Sequence, residues 1–162
     1  MSLSLTVIFL FLAIRYAKWS KWRDYYPTLL YMAMLNLLYL FIIQTDYLWK
    51  FKSSILPHGT LAIMLIYILQ GSMTLLFLSY HPIRWRPMLL YWSFWVILFS
   101  LIEYIFYLAD RIDYFRGWNI GWSIFFYIIM YPMLYLHYKK PLAALVLSIP
   151  ITLGFMWIFG YF

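Results

Sequence analysis

The sequence predicts an all-α, polytopic membrane protein: one bundle over residues 1–162, with six transmembrane helices and both termini outside. Three observations carry that expectation. The 162-residue chain is 67% hydrophobic, 25% aromatic and only 10% charged, which leaves too little polar surface to coat a soluble globule. Its apolar residues gather into six runs, over 3–17, 25–43, 60–78, 88–108, 118–136 and 142–159. Its Lys and Arg residues fall in the gaps between runs, a pattern that reports topology and not a nucleic-acid-binding face. The expected partner is therefore the lipid bilayer, in a multi-pass cell-membrane protein, with no nucleic acid.

A helix needs about 20 apolar residues to cross a hydrocarbon core of about 30 Å, and each run after the first approaches that length. The first is shorter; Arg15 and Lys18 extend it by snorkelling, with Trp19 and Trp22 marking the interface. It lacks a basic stretch before it and a small-residue cleavage site after it, as expected of a retained span and not a signal peptide. Spans two, four and six each open near a proline beside basic residues, Pro27, Pro87 and Pro141, because a first helical turn has no use for the missing N–H. The recurrence of Pro27-Thr-Leu-Leu-Tyr31 as Pro87-Met-Leu-Leu-Tyr91 hints at three similar hairpins, although prolines and tyrosines are common at helix starts. Between spans two and three, Leu48, Phe51 and Ile55 share one helical side, which predicts a short interfacial segment ended by Pro57 and Gly59.

Eight of the twelve Lys and Arg follow spans one, three and five: Arg15, Lys18, Lys21, Arg23, Arg84, Arg86, Lys139 and Lys140. The other four, Lys50, Lys52, Arg111 and Arg116, share their loops with Asp46, Asp110 and Asp113. The positive-inside rule then puts both termini outside. Trp19, Trp22 and Trp85 mark the inner boundary and Trp49 and Trp118 the outer one, as belt residues do.

A charge within a span is costly, and Glu103 is the only ionisable residue well inside any run. Helical spacing joins it to Ser93, Ser100, Tyr107 and Asp110, a stripe expected to face the bundle. Span two offers Thr28, Asn36, Tyr39 and Gln44; span three Gln70 and Thr74; span five Ser123, Tyr127, Tyr131 and Tyr135 at intervals of four. The predicted site is an outward-opening polar cavity lined by Asn36, Glu103, Ser123 and Tyr127, with His58 and Arg116 at its mouth. A structural acid that glues helices through hydrogen bonds is the competing reading. In span six, Ala144, Ser148 and Thr152 form a small-residue ridge for close helix packing. Pro132 and Pro150 lie within spans five and six, where kinks are tolerated.

Other chemistry finds little support. There is no cysteine, hence no disulfide, thiolate metal site or cysteine nucleophile. His58, His81 and His137 are dispersed, no lysine sits mid-span, and neither a Gly-x-Ser-x-Gly elbow nor a phosphate-binding loop occurs. Asp110 and Asp113 are three apart, a spacing that can share Mg2+ on a pyrophosphate, but flanking arginines make a locally paired turn the simpler reading. No cofactor is expected.

Across nearly its whole length the chain resembles a family of small, uncharacterised six-helix membrane proteins of spore-forming Gram-positive bacteria. The resemblance rests on Tyr25-Tyr-Pro-Thr28, Asn36-Leu-Leu-Tyr39, Leu48-Trp49, His58-x-Thr60, Leu101-Ile-Glu103, Ile112-Asp-Tyr114, Gly117-Trp-Asn119 and His137-Tyr-Lys-Lys-Pro-Leu142. It implies an architecture and no catalytic residues, and it implicates Asn36, His58, Glu103 and Asn119. Three functions follow as expectations: a non-enzymatic bundle that binds or carries a small molecule or lipid, an intramembrane enzyme on a lipid or prenyl substrate, and a structural helper of another membrane protein. The first is preferred. A homo-oligomer is compatible with all three.

Overall fold

A computed structural model describes residues 2–43, 46–52, 61 and 63–162. Helix α1 (Ser2–Tyr16) passes through a 3-10 turn (Trp19–Lys21) into α2 (Trp22–Ile43). After strand β1 (Trp49–Phe51), the third helix runs as a π-helix (Leu65–Gln70) into α3 (Gly71–Ser79). Then follow α4 (Trp85–Leu108), strand β2 (Ile112–Tyr114), α5 (Ile120–Lys139) and α6 (Pro141–Ile158). Each predicted run falls on a helix. Four helices are long and apolar enough to cross a membrane, Trp19–Ile43, Trp85–Leu108, Ile120–Lys139 and Pro141–Ile158, while Ser4–Tyr16 and Leu65–Ser79 are apolar but shorter.

Local chemistry explains the boundaries. Pro141 occupies the first position of α6 and Pro87 the first turn of α4, as expected. Pro27 departs from that expectation: α2 begins at Trp22, so this proline lies inside the helix and leaves the carbonyl one turn back without its amide partner. At the end of α4 the chain turns through Asp110, in the left-handed region at φ 53°. Asn119 starts α5, its Oδ1 accepting from the amides of Gly121 at 2.9 Å and Trp122 at 3.3 Å.

The shortest apolar helix is the most enclosed. Every residue of α3 from Ser72 to Ser79 is buried, because α1 and α2 pack directly against it. Helix α4 packs on α5, and α5 in turn on α2 and α6. The core between α3, α4 and α5 is aromatic: Phe77 is fully buried, with the rings of Tyr131, Tyr91 and Trp95 at 5.1, 5.5 and 6.0 Å. Such tilted and edge-on rings add specific attraction to the area they bury. On α6, Ala144 and Ser148 of the predicted ridge are buried while Leu142, Val146, Ile149 and Trp157 are exposed. Ser148 Oγ donates to the Ala144 carbonyl at 2.8 Å, so the Tyr31 hydroxyl must donate in the 2.6 Å bond it shares with Ser148. Tyr91 instead donates to the Phe77 carbonyl, so the two Pro-to-Tyr segments do different jobs.

The two ends of the bundle differ. At one, the Lys18 amide donates to Ser79 Oγ at 3.0 Å and the Tyr80 hydroxyl to the Tyr16 carbonyl at 2.6 Å, joining two of the basic turns. His81 lies here, stacked on Tyr135 at 3.7 Å, and its Nε2 accepts from Trp92 Nε1 at 2.8 Å. That bond needs an unprotonated Nε2, and burial lowers the His81 pKa below its usual value. A histidine with a depressed folded pKa contributes full stability above its unfolded value of about 6.5, and this contribution is lost as pH falls from there toward the folded value. The melting temperature is therefore expected to drop more between pH 7.5 and 5 in the wild type than in His81→Gln; parallel pH profiles would exclude the effect.

At the other end, β1 pairs antiparallel with β2 in the register Trp49 to Tyr114, Lys50 to Asp113 and Phe51 to Ile112. This corrects the helical reading of Leu48 and Phe51; Ile55, Pro57, His58 and Gly59 lie outside the described residues, as does Gln44. A single helical turn is marginal alone, whereas β2 satisfies the backbone of β1 and leaves Trp49 and Phe51 on one face. Trp49 and Trp118 are likewise not belt residues. Trp49 stacks on Tyr39 at 4.5 Å and lies 4.8 Å from Trp118, which is buried. By contrast Trp19, Trp22 and Trp85 at the basic end are exposed.

Candidate functional site

Glu103 is 8% exposed and points into the bundle. The buried stripe of α4 runs Trp95, Phe99, Glu103, Phe106, with steps of four, four and three residues that keep one helical face. The predicted polar stripe is accordingly corrected: Ser93, Tyr107 and Asp110 are exposed, because Ser93 and Tyr107 sit rotated away from that face and Asp110 lies in the turn beyond the end of α4. On α5 the expected face holds, with Ser123 and Tyr131 buried and Tyr127 and Tyr135 half-buried.

Three hydroxyls converge on the acid. Tyr114 donates to Oε1 at 2.6 Å, Ser123 to Oε1 at 2.5 Å, and Tyr127 to Oε2. Trp118 Nε1 donates to Ser123 Oγ at 2.9 Å, which occupies the acceptor side of that hydroxyl and leaves its hydrogen for Glu103. The contacts come from α4, β2 and α5, so the network ties the sheet to two helices. Glu103 makes no ion pair among the described residues. Burial and the adjacent acid push the Tyr114 hydroxyl pKa well up, which keeps it a proton donor.

The acid lies in the wall of a cavity of about 110 Å3 at the sheet end. Its polar lining is Asn36, Gln70, Glu103, Ser123 and Tyr127; the remainder is apolar, with aliphatic and Met side chains beside Trp49, Phe51, Phe99, Phe106, Trp118 and Phe126. Gln70 ends the π-helical turn, a local widening that recurs at functional sites. Its Nε2 donates to Asn36 Oδ1 at 3.2 Å, and Asn36 Nδ2 donates to the Met32 carbonyl at 2.9 Å. Gln70 Oε1 is buried without a partner. A second, apolar cavity of about 160 Å3 lies between α2, α5 and α6. The two share Met32, Asn36, Trp49, Trp118, Phe126 and Met130 as a common wall.

Asn36, Glu103, Ser123 and Tyr127 thus come together as the helical spacing predicts. Other expected members serve elsewhere. Arg116 Nε donates to the Phe159 carbonyl at 2.9 Å and Nη2 to Gly160 at 2.6 Å, while Nη1 pairs with Asp46. It fastens the C-terminal turn and lines neither cavity. Asn119 is the α5 cap. His58 lies outside the described residues. Asp110 and Asp113 both contact Lys52 Nζ, at 2.7 and 2.9 Å; the Lys52 hydrogen bond and charge hold the Asp110 carboxyl below its usual value and raise that of Lys52 in return. A lysine therefore takes the place a metal would need, and among the described residues no group of three His, Asp or Glu is arranged to hold one.

Two residues of the Glu103 network do not follow from helical spacing. Tyr114 lies in strand β2 between two apolar runs, and only the alternation Ile112-Asp113-Tyr114 signals a strand that aims it inward. Trp118, taken as an interface anchor, supplies the donor that orients Ser123. No family model, curated protein or solved structure matches this chain.

Proposed function

We propose that this chain is a six-span protein of the cell membrane, both termini outside, that binds a small molecule or lipid in the cavity around Glu103 as a carrier, transporter subunit or sensor. The observation that carries this reading is a buried carboxylate, without a basic side chain beside it among the described residues, set in the wall of a largely apolar cavity. Intramembrane acids are expensive and are kept where they meet a ligand, an ion or a proton, and an apolar cavity with a few convergent polar groups is the usual form of a small-molecule site.

Charge supports the orientation. The end where α1, α3 and α5 finish carries eight Lys and Arg, and the sheet end four with three acids, so the sheet end belongs outside. Since the chain has no native cysteine, single cysteines give a clean assay. Tyr161→Cys is expected to react with an impermeant maleimide on intact cells, and Lys140→Cys only after permeabilisation; the reverse pattern overturns the orientation.

The binding reading is tested by native mass spectrometry of the gently purified protein beside Glu103→Gln. A defined adduct on the wild type that is lost from a folded mutant supports it. A second reading, in which Glu103 only holds helices together, is favoured by the three hydroxyls that already engage it. It expects bare protein in both samples and a less stable mutant.

A further inference from the structure

We propose that the ligand is a hydrophobic ammonium: a compact protonated amine seated against Glu103 and Gln70, with an apolar body of about one aromatic ring. This rests on the reading of the cavity as a binding site and names the class of molecule that site takes.

Complementarity of charge comes first. Among the described residues the cavity wall holds one carboxylate and no Lys, Arg or His. The hydrogens nearest the acid are committed: Tyr114, Ser123 and Tyr127 donate to Glu103 and Trp118 to Ser123, while Gln70 and Asn36 each spend one of two amide hydrogens, on Asn36 and Met32. Acceptor capacity remains at the acid. Among the described residues Oε2 of Glu103 receives one hydrogen bond where a carboxylate oxygen can take two, and Gln70 Oε1 is buried with no partner. A wall whose one charge is negative and whose buried Gln70 oxygen lacks a partner suits a guest that brings hydrogens and positive charge; an anion would meet a buried like charge.

The aromatic lining points the same way. Trp49, Phe99, Phe106, Trp118 and Phe126 surround the acid, and the faces of such rings attract cations most strongly where water is excluded. Size sets the rest. A cavity of about 150 Å3 accepts a benzene ring, so the 110 Å3 chamber suits a headgroup and the 160 Å3 apolar chamber behind the shared wall suits a ring. Trp49 and Trp118 line both.

Three probes of nearly one shape and different charge test the proposal on the full chain in nanodiscs of zwitterionic lipid: phenethylammonium, n-propylbenzene and 3-phenylpropionate. Binding is read by calorimetry with empty discs subtracted. The ammonium is expected to bind at least about tenfold more tightly than either analogue, since a buried charge pair is formed with it alone. Glu103→Gln is expected to cost the ammonium at least about thirtyfold and to leave n-propylbenzene unchanged. Gln70→Leu, which keeps the carboxylate network, is expected to cost the ammonium about fivefold, the equivalent of one hydrogen bond. The comparison of probes on the wild type stands even if a variant fails to fold. Equal binding of ammonium and n-propylbenzene overturns the charge selectivity and leaves the binding function in place. Binding of none of the three overturns the ammonium, and when the co-purified adduct is also absent it overturns the binding function with it.

Discussion

Glu103→Leu is expected to destabilise the folded bundle by about 2–5 kcal/mol, from three lost hydrogen bonds of about 0.6–1.7 kcal/mol each, the range found between membrane helices. The loss exceeds that of an ordinary polar truncation because of what remains behind. Tyr114, Ser123 and Tyr127 would keep their hydroxyls in a buried place with no acceptor, and an unsatisfied donor costs more than a missing bond. Trp118, bonded to Ser123, is then held by a hydroxyl without a fixed direction. Glu103→Gln is expected to cost only about 1 kcal/mol, since its carbonyl still accepts from Tyr114 and Ser123 and its amide can donate to Tyr127. Unfolding in mixed micelles, followed by circular dichroism, separates the two variants; equal stability of Leu and Gln would show that the network contributes little.

The second large effect is expected at Arg116, where Arg116→Ala should cost about 1–2 kcal/mol, discounted from the value of charged hydrogen bonds because Asp46 is more than half exposed. One guanidinium reaches two carbonyls of the C-terminal turn and the Asp46 carboxylate, and lies 4.6 Å over the Tyr161 ring. Tyr161 in turn donates to the Asp46 carbonyl at 2.5 Å. Arg116→Lys should rescue little of this, since an ammonium is a point charge and cannot fork to acceptors in three directions. Hydrogen exchange over residues 157–162 is the measurement: rapid exchange in both variants is expected, and protection retained in Lys would mean that charge alone holds the clasp.

The parts of the site that were legible in the sequence lie on helices. Glu103 on one run, and Ser123 with Tyr127 one turn apart on the next, are polar interruptions in apolar helices, and burying them together follows from period alone. Asn119 also carried a readable signal, an amide residue immediately before an apolar helix, and the cap it makes is a local matter. Arg116 and the Asp110 and Asp113 pair were placed in the correct loops but given the wrong partners. Those partners, Phe159 with Gly160 and Lys52, come from distant parts of the chain, and no local rule brings them together.

The apolar runs, the charges in their gaps and the lone acid within an apolar run were enough to determine a mainly helical body, with helices long and apolar enough to cross a membrane and an inward-facing Glu103. Each of these depends on the period or composition of a single segment. The strand pairing of β1 with β2, the inward turn of Trp49 and Tyr114, the central position of α3 and the second chamber between α2 and α6 were decided only in the tertiary structure. Each depends on two or more segments meeting, where backbone hydrogen bonds and ring packing between remote residues outweigh the preferences of either segment alone.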